Sequence, residues 1–289
     1  MPDWSEIRAE MQAAGVSLPA NAVPSPVSGG DISAAWHLPT GFGGLFIKTG
    51  PLSSADMFAA EADGLAAIAA SEAIRVPAVV ALGQTDSTSY LALEWLEFER
   101  ADDRVEARLG ERLAAMHRTT ASRFGWHRDN TIGLTPQHNA PSDSWVDFFR
   151  EHRLAVQFRM AADNGFGGSL QLEGARLLKR LPVYFDAEPP EASLLHGDLW
   201  GGNWACCAAE PVIFDPAVYS GDRETDLAMS RLFGGFGAAF YDAYESSWPL
   251  RDGHRERRRL YQLYHVLNHL NLFGSAYLGQ AMRLIGELH

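Results

Sequence analysis

The sequence is short of cysteine, of positive charge and of long apolar runs, and each shortage excludes something. Its only cysteines, Cys206 and Cys207, are adjacent. Neighbouring residues rarely bridge and two thiols make no disulfide framework, so a reducing, cytoplasmic setting is expected. Lysine and arginine number 24 against 36 aspartates and glutamates, a formal net charge of −12. That excludes a nucleic-acid binder, which needs a basic face to displace phosphate counterions. It leaves room for one anionic ligand held in a local pocket. No apolar run approaches the ~20 residues of a membrane-spanning helix, so no membrane partner is expected. The opening MPDWSEIRAEM lacks the basic and apolar stretches of a secretory leader, and none is expected. What remains is an ordinary globular composition of 46% hydrophobic and 11% aromatic residues in 289. That is too apolar for disorder and enough for one large core or two smaller ones.

Periodicity divides the chain into two parts. Residues 3–13 read as a helix, with Trp4, Ile7 and Met11 three and four apart. Ser28-Gly29-Gly30 then leads a glycine-turned hairpin, with strands over Ile32–Leu38 and Leu45–Lys48. A helix over 55–70 carries Phe58, Leu65 and Ile68 on one face, and strands follow at Pro77–Leu82 and Ser89–Trp95. From Leu96 the pattern turns helical, over 103–118, 144–160, 168–180 and Thr225 onward. Two short strands, Ser193–Leu195 and Pro211–Phe214, flank a glycine-bearing loop between them. The expected fold is α+β and two-lobed. Residues 1–96 form a small antiparallel-sheet lobe with one key helix, and residues 97–289 a larger, mainly helical lobe.

The chemistry concentrates in His196-Gly197-Asp198-Leu199-Trp200-Gly201-Gly202-Asn203. An aspartate five residues before an asparagine is the spacing of the kinase catalytic loop. Such a loop sets one carboxylate beside an attacking hydroxyl, here Asp198, and one neutral oxygen within reach of magnesium, here Asn203. Gly197 stands where protein kinases carry the arginine that answers a phosphorylated activation segment, which points to constitutive activity. Downstream, the apolar strand Val212-Ile213-Phe214 ends in Asp215, the position of a second magnesium ligand in kinase-type enzymes. Lys48 closes the strand Leu45–Ile47. Glu61 lies three after Phe58 and four before Leu65, so it shares an apolar helix face and must be paired there. Lys48 is the nearest upstream cation, and the pair reproduces the strand-lysine to helix-glutamate pair that holds nucleotide phosphates.

Weaker signals frame these. Ser28, Gly29 and Gly30 could bring backbone amides near phosphates. The connector Glu94-Trp95-Leu96 stands where a kinase backbone meets adenine. Asp226, opening a helix in GDRETD, reads as structural, bonding back to the catalytic-loop backbone. The basic run Arg251–Arg259 reads as a solvated helix start. The histidines show no spacing that compels a metal site; His265 and His269 come nearest, four apart with no glutamate between them.

These stretches resemble the fructosamine (ketosamine) kinase family. HGDLWGGN and FDPAVYSGDRETDLAMSRLFGGF carry the resemblance. SGGDISAAW, FIKTG, MFAAEADGLAAI, GERLAAMHR, FGWHRDNTIGLTPQHN and WVDFFREHRL extend it over residues 28–245. The resemblance implies ATP as donor, Mg2+ as cofactor, and the 3-hydroxyl of a free or protein-bound fructosamine or ribulosamine as acceptor. It implies Asp198 as catalytic base, Asn203 and Asp215 as magnesium ligands, Lys48 on the phosphates and Glu61 orienting Lys48. Pro141 and Ser144 depart from the tryptophan and aspartate expected there, near the presumed acceptor. Two rival readings remain at this point. One is a related phosphotransferase for an aminoglycoside, choline, homoserine or methylthioribose; the other is a nucleotide-binding pseudokinase module.

Overall fold

Alternation of apolar and polar side chains builds a sheet that is covered on both faces. The computed structural model describes residues 2–27, 33–41, 43–185 and 188–288. Strands β1 (Ser25–Val27), β2 (Ala34–Thr40), β3 (Gly43–Pro51), β4 (Val79–Gln84) and β5 (Thr88–Glu94) form one antiparallel sheet, ordered β1-β2-β3-β5-β4. Helix α1 (Trp4–Ala13) starts at Asp3, whose carboxylate accepts from Ser5 N at 2.9 Å. It buries Ile7 and Met11 against Leu38, Ile47, Tyr90 and Ala92. Helix α2 (Ala55–Ala70) lies on the other face, with Phe58 and Leu65 on Leu91 and Leu93. Successive residues of β5 thus serve opposite helices, as a pleated strand requires. Lys48, out of phase with Ile47, falls on the α2 side.

The rest is mainly helical. Asp102 caps α3 (Asp103–His117) by accepting from Val105 N at 2.9 Å. Then come β6 (Thr120–Ala121) and the hairpin of β7 (Asn130–Ile132) and β8 (Thr135–Gln137). Helices α4 (Trp145–Phe149), α5 (Ala155–Asp163) and α6 (Ser169–Arg180) follow. Next are β9 (Ala192–Leu195), β10 (Trp204–Cys207), β11 (Glu210–Ile213) and β12 (Tyr219–Gly221). Helices α7 (Glu224–Ser230), α8 (Ala238–Ser247), α9 (His254–Phe273) and α10 (Leu278–Gly286) close the chain. The core is centred on α9, whose Leu260, Tyr261, Tyr264 and Leu267 pack with Trp145, Phe148, Phe149 and Phe158. The sheet is stitched to this part by backbone bridges from Arg75 to Val212 and from Glu99 to Cys206. Phe98 also stacks on Phe214 at 5.3 Å.

Two expectations change, and one departure gains a structural role. The helix expected over 144–160 is broken into α4 and α5 by a π-helical turn, Arg150–Leu154. That turn accommodates Arg153, which is buried over the rings of Phe148 and Tyr219 at 4.7 and 4.1 Å. Ser144, which departs from the aspartate expected there, is the N-cap of α4, its hydroxyl accepting from Asp147 N at 3.2 Å. Finally, the basic run at the start of α9 is not simply solvated. Arg257 is 5% exposed and forms two hydrogen bonds of 2.8 Å with Glu224. Arg251 pairs with Asp222 and Glu224. A buried carboxylate on a neighbouring helix, invisible in the local pattern, draws these cations inward.

His265 sits in α9 with both ring nitrogens buried and unpartnered among the described residues. Burial pushes its pKa down to about 3. An unfolded histidine titrates near ~6.5, so below that value the unfolded chain takes up a proton that the folded chain refuses. This group therefore withdraws stability as pH falls from about 6.5 toward 3, by on the order of 1.4 kcal/mol per pH unit. Urea unfolding of the parent and of His265→Leu, at pH 7.5 and 5.5, isolates the effect. The parent should lose more stability than the variant between the two; equal losses would refute the assignment.

Candidate active site

A strand, a helix and the segment after β11 meet at Lys48, which lies inside β3 with strand pairing continuing to Pro51, and does not close the strand as expected. Its Nζ donates to Glu61 Oε1 and Oε2 at 2.8 and 2.9 Å, and to Asp215 Oδ1 at 2.8 Å. Lys48 and Glu61 side chains are 13% and 12% exposed, whereas Asp215 is 46% exposed. Burial disfavours the lysine charge, but the two carboxylates outweigh it and hold its pKa above the usual range. Lys48 is therefore a permanently charged group with one partner fixed behind it and one open to the cleft. Asp215 itself adopts φ 57, a left-handed backbone that aspartate tolerates better than most residues.

The loop after β9 brings Asp198 and Asn203 together. Asn203 Nδ2 donates to the Asp198 main-chain oxygen at 2.9 Å and to Asp198 Oδ2 at 3.3 Å. Both bonds use the amide nitrogen of Asn203 and not its oxygen. Burial, and then the charges of Asp215 and Asp226, push the Asp198 pKa up to about 7, against the pull of the Asn203 hydrogen bond. A carboxylate tuned to that range can receive a proton near neutral pH.

The loop is anchored from beneath. Asp226, 1% exposed at the start of α7, accepts from His196 N at 2.7 Å and Gly197 N at 2.9 Å. It also meets His117 Nε2 at 3.1 Å, and His117 Nδ1 faces Tyr244 Oη at 2.8 Å. His196 Nε2 lies 2.9 Å from Phe214 O, joining the loop to the residue before Asp215. Gly197 has φ +84, and a Cβ there would stand 2.0 Å from Ala217 O. Only glycine fits.

The remaining expected residues are placed as follows. Ser28, Gly29 and Gly30 lie outside the described residues. In the connector, Glu94 N donates to Ala78 O at 2.9 Å and Trp95 N to Gly44 O at 3.1 Å. The Glu94 carboxylate pairs with Arg75 at 2.8 Å, and the Trp95 ring lies tilted against His37 with centroids 4.0 Å apart. No backbone hydrogen bond among the described residues takes up Leu96 N. His117 was legible only as one histidine among ten; its role as the partner of Asp226 depends on the packing of α3 beside α7.

An antiparallel sheet with a helix-held lysine, set before a helical part that carries an Asp…Asn loop, is the protein-kinase-like fold. An aminoglycoside phosphotransferase superposes with a TM-score of 0.63 at 17% identity, covering 97% of this chain and 96% of the other. The family model for fructosamine kinase matches residues 3–289. The chain belongs to the fructosamine kinase family. It is 46% identical to a provisionally named ketoamine kinase of Synechocystis, over 90% of this chain and 88% of that protein. It is 42% identical to a chloroplastic protein-ribulosamine 3-kinase of Arabidopsis thaliana, over 90% and 81%. The crystal structure of a candidate fructosamine-3-kinase from Thermobifida fusca matches with a TM-score of 0.88 at 31% identity, covering 99% of each chain.

Proposed function

We propose that this protein transfers the γ-phosphoryl group of ATP to the 3-hydroxyl of a ketosamine, a fructose or ribulose unit carried on a free or protein-bound amine. The observation that carries the reading is the convergence of Lys48, Glu61 and Asp215 beside Asp198 and Asn203, in a member of the fructosamine kinase family. Residues 1–96 would form the nucleotide lobe, with Ser28, Gly29 and Gly30 near the phosphates and the Glu94–Leu96 backbone near adenine. Residues 97–289 would hold the catalytic loop and the acceptor. The two buried free cysteines suit a cytoplasmic enzyme. No helix among the described residues is long and apolar enough to cross a membrane.

Phosphoryl transfer asks a protein for position and charge more than for covalent chemistry. Lys48, held by Glu61, faces the α- and β-phosphates. Asp198 accepts a hydrogen bond from the acceptor hydroxyl, aligns it with the γ-phosphorus and takes its proton as the bond forms. The free Asn203 amide oxygen and the exposed Asp215 carboxylate are hard oxygen donors suited to Mg2+. Among the described residues no three His, Cys, Asp or Glu side chains form a metal cage. That fits an ion which takes one or two protein oxygens and completes its shell from phosphates and water. When bound, Mg2+ supplies the charge that neutralises the transferring phosphoryl group.

The test is ADP release from magnesium-ATP against a panel of fructosyl-lysine, ribulosyl-lysine, an aminoglycoside, choline and homoserine. Turnover should appear with the two ketosamines alone. Turnover on another acceptor instead would transfer the protein to a sister activity, and no turnover on any, with nucleotide still bound, would make it a binding module.

A further inference from the structure

The stretch 124–139 carries part of the family resemblance, yet none of the chemistry above passes through it. It lies between α2 and the segment that follows Asp215. On one side, Trp126 Nε1 donates to Asp63 Oδ2 at 2.8 Å, and His127 Nε2 lies 3.1 Å from Asp63 Oδ1. Arg128 Nη2 reaches Asp56 Oδ1 at 2.7 Å. On the other side, Asn130 Nδ2 donates to Val218 O at 2.7 Å and Gln137 Nε2 to Ala217 O at 3.1 Å. Gly125 and Ser220 exchange backbone hydrogen bonds of 2.9 and 2.8 Å. The stretch is stiffened from within by Gln137 Nε2 on Asn130 Oδ1 at 2.8 Å, and from α9 by Tyr264 Oη on Gln137 Oε1 at 2.9 Å.

Helix α2 is therefore gripped on three sides. Glu61 holds Lys48, Asp63 is held by Trp126 and His127, and Gly64 rests on the post-Asp215 segment. A Cβ at Gly64 would lie 3.0 Å from Val218 Cγ2 and 3.4 Å from Pro216 Cγ. The helix is rich in alanine, whose small side chains resist rotation about the axis poorly. Glu61 and Asp63 are two residues apart on a rigid α-helix, so a turn that shifts one shifts the other.

We propose that the β7–β8 hairpin and its leading strap, Trp126–Arg128, form a permanent clamp on α2. Asp63 is a positioning residue that sets where Glu61 presents Lys48 to Asp215. The proposal rests on the reading of the Lys48–Glu61 pair given above. Kinases switched by phosphorylation move the equivalent helix through a modified segment. Here the chain supplies the grip itself, and turnover needs no prior covalent modification.

A double-mutant cycle tests it, with the parent, Asp63→Ala, Glu61→Gln and the double variant. Two quantities are read: the Kd of a fluorescent ATP analogue with magnesium, and the ATP KM with fructosyl-lysine as acceptor. Asp63→Ala should raise both by about five- to tenfold, within the range for contacting residues. The effect should vanish in the Glu61→Gln background, because both changes act through Lys48. Asp63→Asn, which keeps an oxygen for Trp126 Nε1, should recover most of the loss. Trp126→Phe removes the donor N–H together with part of the ring but leaves Asp63 in place; it should shift Kd in the same direction, which covers the case of an Asp63→Ala chain that fails to fold. Equal losses from Asp63→Ala in both backgrounds would make it a plain structural contact and overturn the clamp, as would no loss at all. A Glu61→Gln protein with parental Kd and KM would overturn the reading of the pair itself, and the clamp with it.

Discussion

Asp198→Ala is expected to lower turnover by about 10²–10⁴-fold, the range for a positioned acid–base group, while the Kd for ATP stays near its parental value. Among the described residues the carboxylate hydrogen-bonds Asn203 and makes no hydrogen bond to Lys48, Glu61 or Asp215, so its loss leaves the Lys48 ion pairs in place. A second readout runs the other way. Burial and two neighbouring carboxylates raise the Asp198 pKa to about 7, so its charge opposes folding. For a carboxyl with a raised folded pKa, folding loses stability as pH climbs from the unfolded value of ~3.9 toward 7. Removing it at neutral pH should hold or raise Tm. A dead enzyme that melts no lower than the parent is the signature of a group kept for function at a cost in stability. Parental ADP release on fructosyl-lysine would refute the assignment.

Asp226→Asn is expected to be the most damaging isosteric change in the protein. Every partner of this carboxylate is a donor: His196 N, Gly197 N and His117 Nε2. Burial opposes its charge, but these donors outweigh it and its pKa lies below the usual range. An asparagine must turn its NH2 toward at least one of them, so a hydrogen bond is lost and a buried N–H is left unmatched. The cost is about 3 kcal/mol, or a Tm lower by roughly 5–10 °C for a chain of this size. Turnover should fall further than stability, since the two released amides belong to the residues immediately before Asp198. A melting point within about a degree of the parent would show that the loop is held some other way.

The pattern of residues made parts of this site readable for definite physical reasons. Glu61 was legible because a charge on an apolar helix face needs a partner, and Lys48 is the nearest cation upstream of it. Asp226 was legible because a buried helix-start carboxylate next to a loop has backbone amides to satisfy. The Asp…Asn spacing was legible because the loop is short and its geometry local. Arg257 was not, because its partner Glu224 sits on another helix and the local run of arginines looks like a solvent face. The π-helical turn was not, because helical periodicity continues on both sides of Arg150–Leu154. Asp63 was not, because its donors lie more than sixty residues downstream, on a stretch whose strands are only three residues each.

The stack of Phe98 on Phe214 has a mechanical meaning. Phe98 belongs to the connector, and Phe214 is bonded through its own backbone to Asn203 O and His196 Nε2. The connector is thus geared to the residue that precedes Asp215. Any rocking that widens the cleft must either slip those rings apart or drag the Asp215 backbone, and the catalytic loop with it. Under the proposed function, opening for product departure would loosen Lys48 and Asp215 in the same movement, and the grip on nucleotide would relax in step with the gap through which it leaves.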